Sequence, residues 1–323
     1  MNHPLAGGAP GTPRREPRIA WAGLIPLFVV YLIWGSTYLA IRLTVREGAG
    51  FPPFTMGAMR TAAAGLLLLG AACAHSRLRL TKEELFVLAA SGILLWTGGN
   101  GLVIWAEQRA ASGYAALLVG STPIWVAAIE AFLDRRLPSW LLAGSLLTGF
   151  AGLGVLSLPL LAAGTKADFF SILALLLASV SWAAGSVLQN RKPPQISPLV
   201  SSGYQHLFGG LGFAAAALLL REPLPHPTPE AWYAWGYLVV FGSIVAFTSF
   251  IQALRLLPTN IAMTYSYVNP VIAVFLGWLI LHEPVTAWTM AGTALVLLGV
   301  AGVFRDRTFL TFQSGGRKKY FKY

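Results

Sequence analysis

Charge is scarce in this chain. Only 11% of its 323 residues are Asp, Glu, Lys or Arg, against roughly 25% in ordinary globular proteins, too few to clothe a surface that faces water. Disorder is excluded as well, because apolar residues make up 56% of the chain and disordered segments are poor in them. Cysteine is almost missing. Cys73 stands alone, which excludes an internal disulfide and any cysteine-rich metal site. The five histidines, His3, His75, His206, His226 and His282, are scattered and form no HExxH pair. No GxSxG, Walker A or GxGxxG pattern is present either, so the sequence offers no nucleophile elbow, phosphate loop or metal set. It gives no reason to expect an enzyme, a cofactor or a metal.

Long apolar runs are what the chain does have. A membrane-spanning helix needs about 20 apolar residues, and ten such runs can be read at 21–43, 54–74, 85–105, 112–133, 139–161, 168–189, 197–220, 231–254, 259–281 and 286–304. The breaks between them carry turn chemistry: Pro52-Pro53, Leu137-Pro138, Pro193-Pro194, and four prolines between Pro223 and Pro229. Proline ends helices because it lacks the donor and clashes with the preceding turn. The runs are continuously apolar instead of alternating, which argues against a β-barrel. The expected fold class is therefore an all-α integral membrane protein with ten transmembrane helices, a bilayer as its solvent.

The net charge of +11 could suggest a nucleic-acid partner. A nucleic-acid binder gathers its basic residues on one face of a soluble domain, whereas here they lie between the apolar runs, so no nucleic acid is expected. Their distribution reads as orientation. Seventeen of the 23 Lys and Arg fall in loops and tails that would share one side, five fall opposite, and Arg60 lies within a span. The positive-inside rule then puts both termini in the cytoplasm, with residues 1–20 a flexible Gly/Pro-rich tail and 305–323 a basic one.

The chain also repeats itself at an offset of about 145 to 148 residues. Arg60 and Gly65 correspond to Gln205 and Gly210, Arg109 and Ala116 to Arg255 and Ala262, Pro123 to Pro270, Ala143-Gly144 to Ala291-Gly292, and Trp34 to Trp182. Two halves result, 21–161 and 162–304, each with five spans. An odd number of spans forces the halves into opposite orientations, the inverted repeat of carriers that alternate access around a midplane site.

Several stretches resemble a known family. These are IWGSTYLAIR at 33–42, Met59-Arg60, GYAALLVGSTPIWVAAIEAFL at 113–133, QALRLLPTNIAMTYSYVNPVIAVFLGWLILHEP at 252–284 and AGTALVLLGV at 291–300. Together they resemble the EamA-type members of the drug/metabolite transporter superfamily over Trp21 to Phe304, and most of all the aromatic amino acid exporter branch. The resemblance implies ten helices in two inverted halves around a central cavity, and export of small metabolites across the inner membrane of a bacterium. Two departures stand out. Leu133 to Leu137 (LDRRL) replace the family's Gly-Glu-Arg-Leu turn, and Gln252 stands where a Tyr is usual.

Polar and aromatic groups inside the spans are the candidates for substrate contact. Trp34 and Tyr38 are four apart and share a helix face, as do Trp96 and Asn100. Trp182 and Ser186 belong to a stripe on one face, Ser121 precedes Pro123, and Tyr265 and Tyr267 precede Pro270. Pro123 and Pro270 each free a backbone carbonyl at corresponding places in the two halves, which marks a hinge or a site. Glu283 is a candidate gate or helix cap. Arg60 either snorkels outward or binds a substrate carboxylate, and Glu130 either joins an ion-pair cluster with Asp134 and Arg135 or carries a proton. No deep Asp or Glu stands out as a proton carrier. These features fit a carrier for amino acids with apolar or aromatic side chains. The alternative, efflux of drugs or organic cations, would call for a buried carboxylate.

Overall fold

The computed structural model describes residues 21–74, 76–110, 112–162, 168–281 and 285–306. Among the described residues every regular element is helical. The first half contains α1 (Trp21–Val45), α2 (Pro53–Ala72), α3 (Lys82–Gly92), α4 (Gly101–Ala106), α5 (Ser112–Val119), α6 (Thr122–Asp134) and α7 (Trp140–Ala162). The second half contains α8 (Phe169–Arg191), α9 (Pro198–Leu219), α10 (Pro229–Tyr237), α11 (Ala246–Leu256), α12 (Thr259–Ala262), α13 (Tyr265–Leu281) and α14 (Ala287–Arg305). A π-helical segment, Ile93–Asn100, joins α3 to α4, and another, Leu238–Val245, joins α10 to α11. Glu283 lies outside the described residues.

Local chemistry sets the helix starts. Asp168, Ser197, Thr228 and Thr286 each accept a hydrogen bond from the backbone N–H three residues on, satisfying a donor that has no partner inside the helix. Pro198 and Pro229 follow two of these caps, where a missing N–H costs nothing. Thr81 and Glu84 form a reciprocal capping box. α2 starts after Pro52, which offers no side-chain cap. Its first N–H groups are met from across the bundle instead: the Glu222 carboxylate accepts from Phe54 N at 2.9 Å and from Thr55 N at 2.7 Å.

Eight helices among the described residues are long and apolar enough to cross a membrane. α9 and α13 fall outside that group. α9 carries Ser201, Ser202, Gln205 and His206, all buried against protein, and α13 spans 17 residues after a break at Met263–Thr264. The bundle's exterior is apolar, with Ile25, Phe28, Leu66 and Leu298 fully or largely exposed, as befits a lipid-facing surface.

Two helix pairs build the frame. α2 and α9 run antiparallel, since Phe54 sits beside Glu222 while Gly65 meets Gly203. α7 and α14 are antiparallel too, Ser145 facing Gly302, Gly149 facing Gly299 and Gly152 facing Gly292. A Cβ on Gly299 would come within 2.5 Å of the Gly149 nitrogen, so the backbones approach this closely because residue 299 has no side chain. Trp140 and Trp288, in the first turns of α7 and α14, are exposed, the placement expected of interfacial anchors.

Candidate substrate cavity

A cavity of about 60 Å³ lies where the helices converge. Trp34, Thr37, Tyr38 and Ile41 line it from α1. Arg60 comes from α2, Trp96, Gly99 and Asn100 from the first π segment, and Val103 from α4. Val119, Ala178, Trp182, Tyr265 and Asn269 complete the wall. The α1 set and the set from Trp96 to Val103 follow the same i, i+3, i+4, i+7 spacing, which puts each on one face.

Aromatic rings hold the cavity shut. Trp34 meets Trp182 edge to face, centroids 5.4 Å apart at 79°, and Tyr265 at 4.8 Å and 73°. Trp96 packs on His206 at 4.3 Å and Phe247 at 4.9 Å. The His206 Nδ1 is 2.7 Å from the Ser202 carbonyl, so His206 is a packed, hydrogen-bonded ring beneath Trp96.

Arg60 is 2% exposed. Its Nε donates to Ser243 Oγ at 2.8 Å, its Nη1 to Asn100 Oδ1 at 3.3 Å, and its guanidinium lies 5.0 Å over the Trp96 ring. Its partners, Ser243, Asn100 and the Trp96 ring, are all neutral. Both π segments serve this point. The first brings Trp96 and Asn100. The second brings Ser243 and the Gly242 carbonyl, which accepts from Trp34 Nε1 at 3.0 Å. π segments bulge a helix and often mark functional sites.

Trp34, Tyr38, Arg60, Trp96, Asn100, Trp182 and Tyr265 thus come together from five separate helical elements. Other candidates lie elsewhere. Ser121 Oγ donates to Leu118 O and accepts from Trp125 Nε1. Ser186 bonds back to Trp182 O, and Tyr267 donates to Leu146 O on α7. Pro123 begins α6 just after the break at Gly120–Ser121, whereas Pro270 sits inside α13. Glu130 is buried and accepts from Asn260 Nδ2 at 2.9 Å, while Asp134 pairs with Arg191. Sequence reasoning also missed several groups. Thr37 and Asn269 belong to motifs it had already singled out, and Ser243 lies in an otherwise apolar run. Glu107, just beyond the end of α4, is 0% exposed and was not among the candidates. It lies at the edge of an apolar run beside Arg109 and reads in sequence as part of a loop.

The two ends of the bundle differ. One end is sealed by backbone bonds between the linkers after α1 and after α9, His226 N to Gly50 O at 2.9 Å and Thr228 N to Ala49 O at 3.1 Å, with Phe51 against Trp232. The other end opens into a vestibule of about 1420 Å³, lined by charged groups that include Arg77, Glu84, Glu130, Asp134, Arg191 and Arg255.

Helices sheathed in apolar side chains, a small aromatic cavity at their centre and a polar vestibule at one end are the build of a multi-pass membrane transporter. The sequence profile of the EamA-like transporter family matches residues 21–158 and again 169–305, and the chain belongs to that family. It is 32% identical over 255 residues to the uncharacterized inner membrane transporter YedA of Escherichia coli K12, covering 78% of this chain and 80% of YedA. It is 24% identical over 298 residues to the S-adenosylmethionine/S-adenosylhomocysteine transporter of Chlamydia trachomatis, covering 87% of this chain and 89% of that one. A solved crystal structure shares the fold with a TM-score of 0.70 at 23% identity, covering 87% of this chain and 96% of its own.

Proposed function

We propose that this chain is an alternating-access carrier that exports small organic metabolites across the inner membrane, its cargo being α-amino acids with apolar or aromatic side chains. The observation that carries the reading is Arg60: a buried guanidinium at the wall of an aromatic cavity, held by neutral groups alone. A charge buried without a counter-ion is costly, and a substrate carboxylate would supply one. The rings of Trp34, Trp96 and Trp182 would take the side chain.

The carrier reading includes ten spans in two inverted halves. Support comes from the two matches to the family profile, from π segments that begin 145 residues apart in sequence, and from the antiparallel packing of α2 with α9 and of α7 with α14. Trp34 and Trp182, corresponding residues of the two halves, face each other across the cavity. The excess of Lys and Arg on the vestibule side supports a cytoplasmic vestibule and hence a form closed to the outside. Pro123, just after the break at Gly120–Ser121, and Pro270, inside α13, are the hinges in this reading. Ser121, Ser186 and Tyr267 position the helices that bear the cavity residues.

S-adenosylmethionine, for which the Chlamydia trachomatis relative is named, joins an aromatic base to an α-amino acid group, a chemistry of the same kind. Organic cations are the weaker reading, because a guanidinium at the wall would repel them. A thermal-unfolding screen of the purified chain tests the proposal, with amino acids, nucleosides and organic cations as ligands. Stabilisation by phenylalanine, tryptophan or methionine is expected; stabilisation by cations alone would overturn it.

A further inference from the structure

Glu107 closes α4 at the sealed end, one helical turn beyond Val103 of the cavity wall. It is wholly buried, and neither carboxylate oxygen has a hydrogen-bond partner among the described residues. Val103 and Ala106 of α4 and Ala110 of the following turn pack into an apolar cluster with Ala115 of α5 and Leu175 of α8.

The charged and titratable groups around it are few. Tyr38 of α1 is within electrostatic reach. Arg42, one turn further along α1, comes closest, yet its Nη1 donates to the backbone carbonyls of Glu107, at 3.0 Å, and Ala110, at 2.7 Å, and makes no ion pair with the carboxylate. Arg109 is stacked on Trp105, 5.4 Å from the ring centroid, and Asp168 at the start of α8 lies near Arg109. A carboxyl buried among apolar groups without a side-chain partner favours its neutral form. Burial pushes Glu107 well above the ordinary carboxylate range, with Arg42 pulling weakly the other way.

Arg42 is therefore tied to two carbonyls that exist only while this corner is folded shut. Parting the sealed end would admit water and open the carboxyl to proton exchange with that side, and resealing over it without a counter-ion requires it to be protonated. Cargo entering from the vestibule would occupy the cavity that Val103 lines, one turn from this carboxyl, and bring water toward it.

We propose that Glu107 is the proton-binding site of the carrier, protonated from the sealed side when that end opens and deprotonated into the cavity when cargo enters from the vestibule. Each cycle makes and breaks one carboxyl O–H bond, the proton passing to and from water, so that one proton enters as one cargo molecule leaves. The assignment rests on the carrier reading above for its coupling, although proton binding at Glu107 can be measured without any cargo.

Thermal unfolding of the full chain in detergent tests that binding. The folded state holds a proton that the unfolded chain releases above pH of roughly 4.3, so stability falls as pH rises from there toward the folded value. The unfolding midpoint of the wild type should drop between pH 5 and pH 8 by more than that of Glu107→Gln. Equal drops would overturn the proposal. Coupling is then read in vesicles loaded with phenylalanine and a trapped pH dye. Wild-type exchange of phenylalanine should move protons, and whatever phenylalanine passes through Glu107→Gln should move none. Saturable phenylalanine movement without proton movement in the wild type, a measurement independent of how the variant folds, overturns the proton site and leaves the carrier intact. Absence of movement for every cargo overturns the carrier, and the unfolding comparison alone then decides the fate of the proton site.

Discussion

The Arg60 guanidinium lies 5.0 Å over the ring of Trp96, so that a cation and an aromatic face share one wall of the central cavity. The pair links α2 to the first π segment, and the bond from Arg60 Nε to Ser243 extends the link to the second. A desolvated contact of this kind contributes about 2 kcal/mol, enough to keep the side chain in place without a counter-ion, and it leaves the guanidinium able to accept one.

Arg60→Gln should raise the KM for amino acid substrates about 10- to 150-fold, the effect of losing a charge-assisted hydrogen bond of about 1.5–3 kcal/mol. Arg60→Lys should recover little of it, because an ammonium neither stacks on Trp96 nor forks two hydrogen bonds. Concentration-dependent uptake by each variant checks both.

Trp182 touches Trp34, Phe247 and Phe250. Trp182→Ala should lower stability by about 3–5 kcal/mol, the range for truncating a packed aromatic, and Trp182→Phe by much less. The phenylalanine variant should fold and still transport, with a smaller preference for aromatic over aliphatic cargo. Unfolding midpoints and a competition assay separate the two effects.

The seam between α7 and α14 should be intolerant of a single added side chain. Gly299→Val must push against backbone atoms of Gly149 at 2.5 and 2.6 Å, and overpacking of this kind costs about 1–3 kcal/mol. Gly154→Ala, on α7 with open space around its Cβ, should leave the unfolding midpoint unchanged or slightly raised.

Glu222→Ala should loosen the sealed end. It strips the cap from Phe54 N and Thr55 N, a loss of about 1 kcal/mol. Amide exchange over residues 53–56 should quicken, with little change at residues 198–202 at the other end of α9.

The sequence carried much of this arrangement for identifiable reasons. The spacing of Trp34 with Tyr38 and of Trp96 with Asn100 put each pair on one face, and the expense of an arginine in a span singled out Arg60. Spacing alone does not say what a face meets. Ser186 shares the stripe of Trp182 yet returns its hydroxyl to its own helix, and Tyr267, two residues from the cavity residue Tyr265, points to α7. Pro123 and Pro270 correspond in the repeat, but only Pro123 begins a helix; the second-half break falls at Met263–Thr264, well ahead of Pro270. Both π segments escaped notice, because nothing in the local residue preferences marks where a helix inserts one extra residue. Glu107 was hidden by its place at the end of a run, where a carboxylate normally reaches water.

The central claim is that Arg60 recognises the carboxylate of an amino acid in an aromatic cavity. Counterflow of labelled phenylalanine in proteoliposomes, competed by unlabelled phenylalanine, methionine and phenethylamine, tests it most directly. Phenethylamine keeps the ring and the amine but lacks the carboxylate. The account predicts saturable counterflow that phenylalanine and methionine inhibit, that phenethylamine leaves unaffected, and that Arg60→Gln weakens at least tenfold in KM, the lower end of the hydrogen-bond loss above. Inhibition by phenethylamine as strong as that by phenylalanine, or counterflow indifferent to Arg60→Gln, would contradict it.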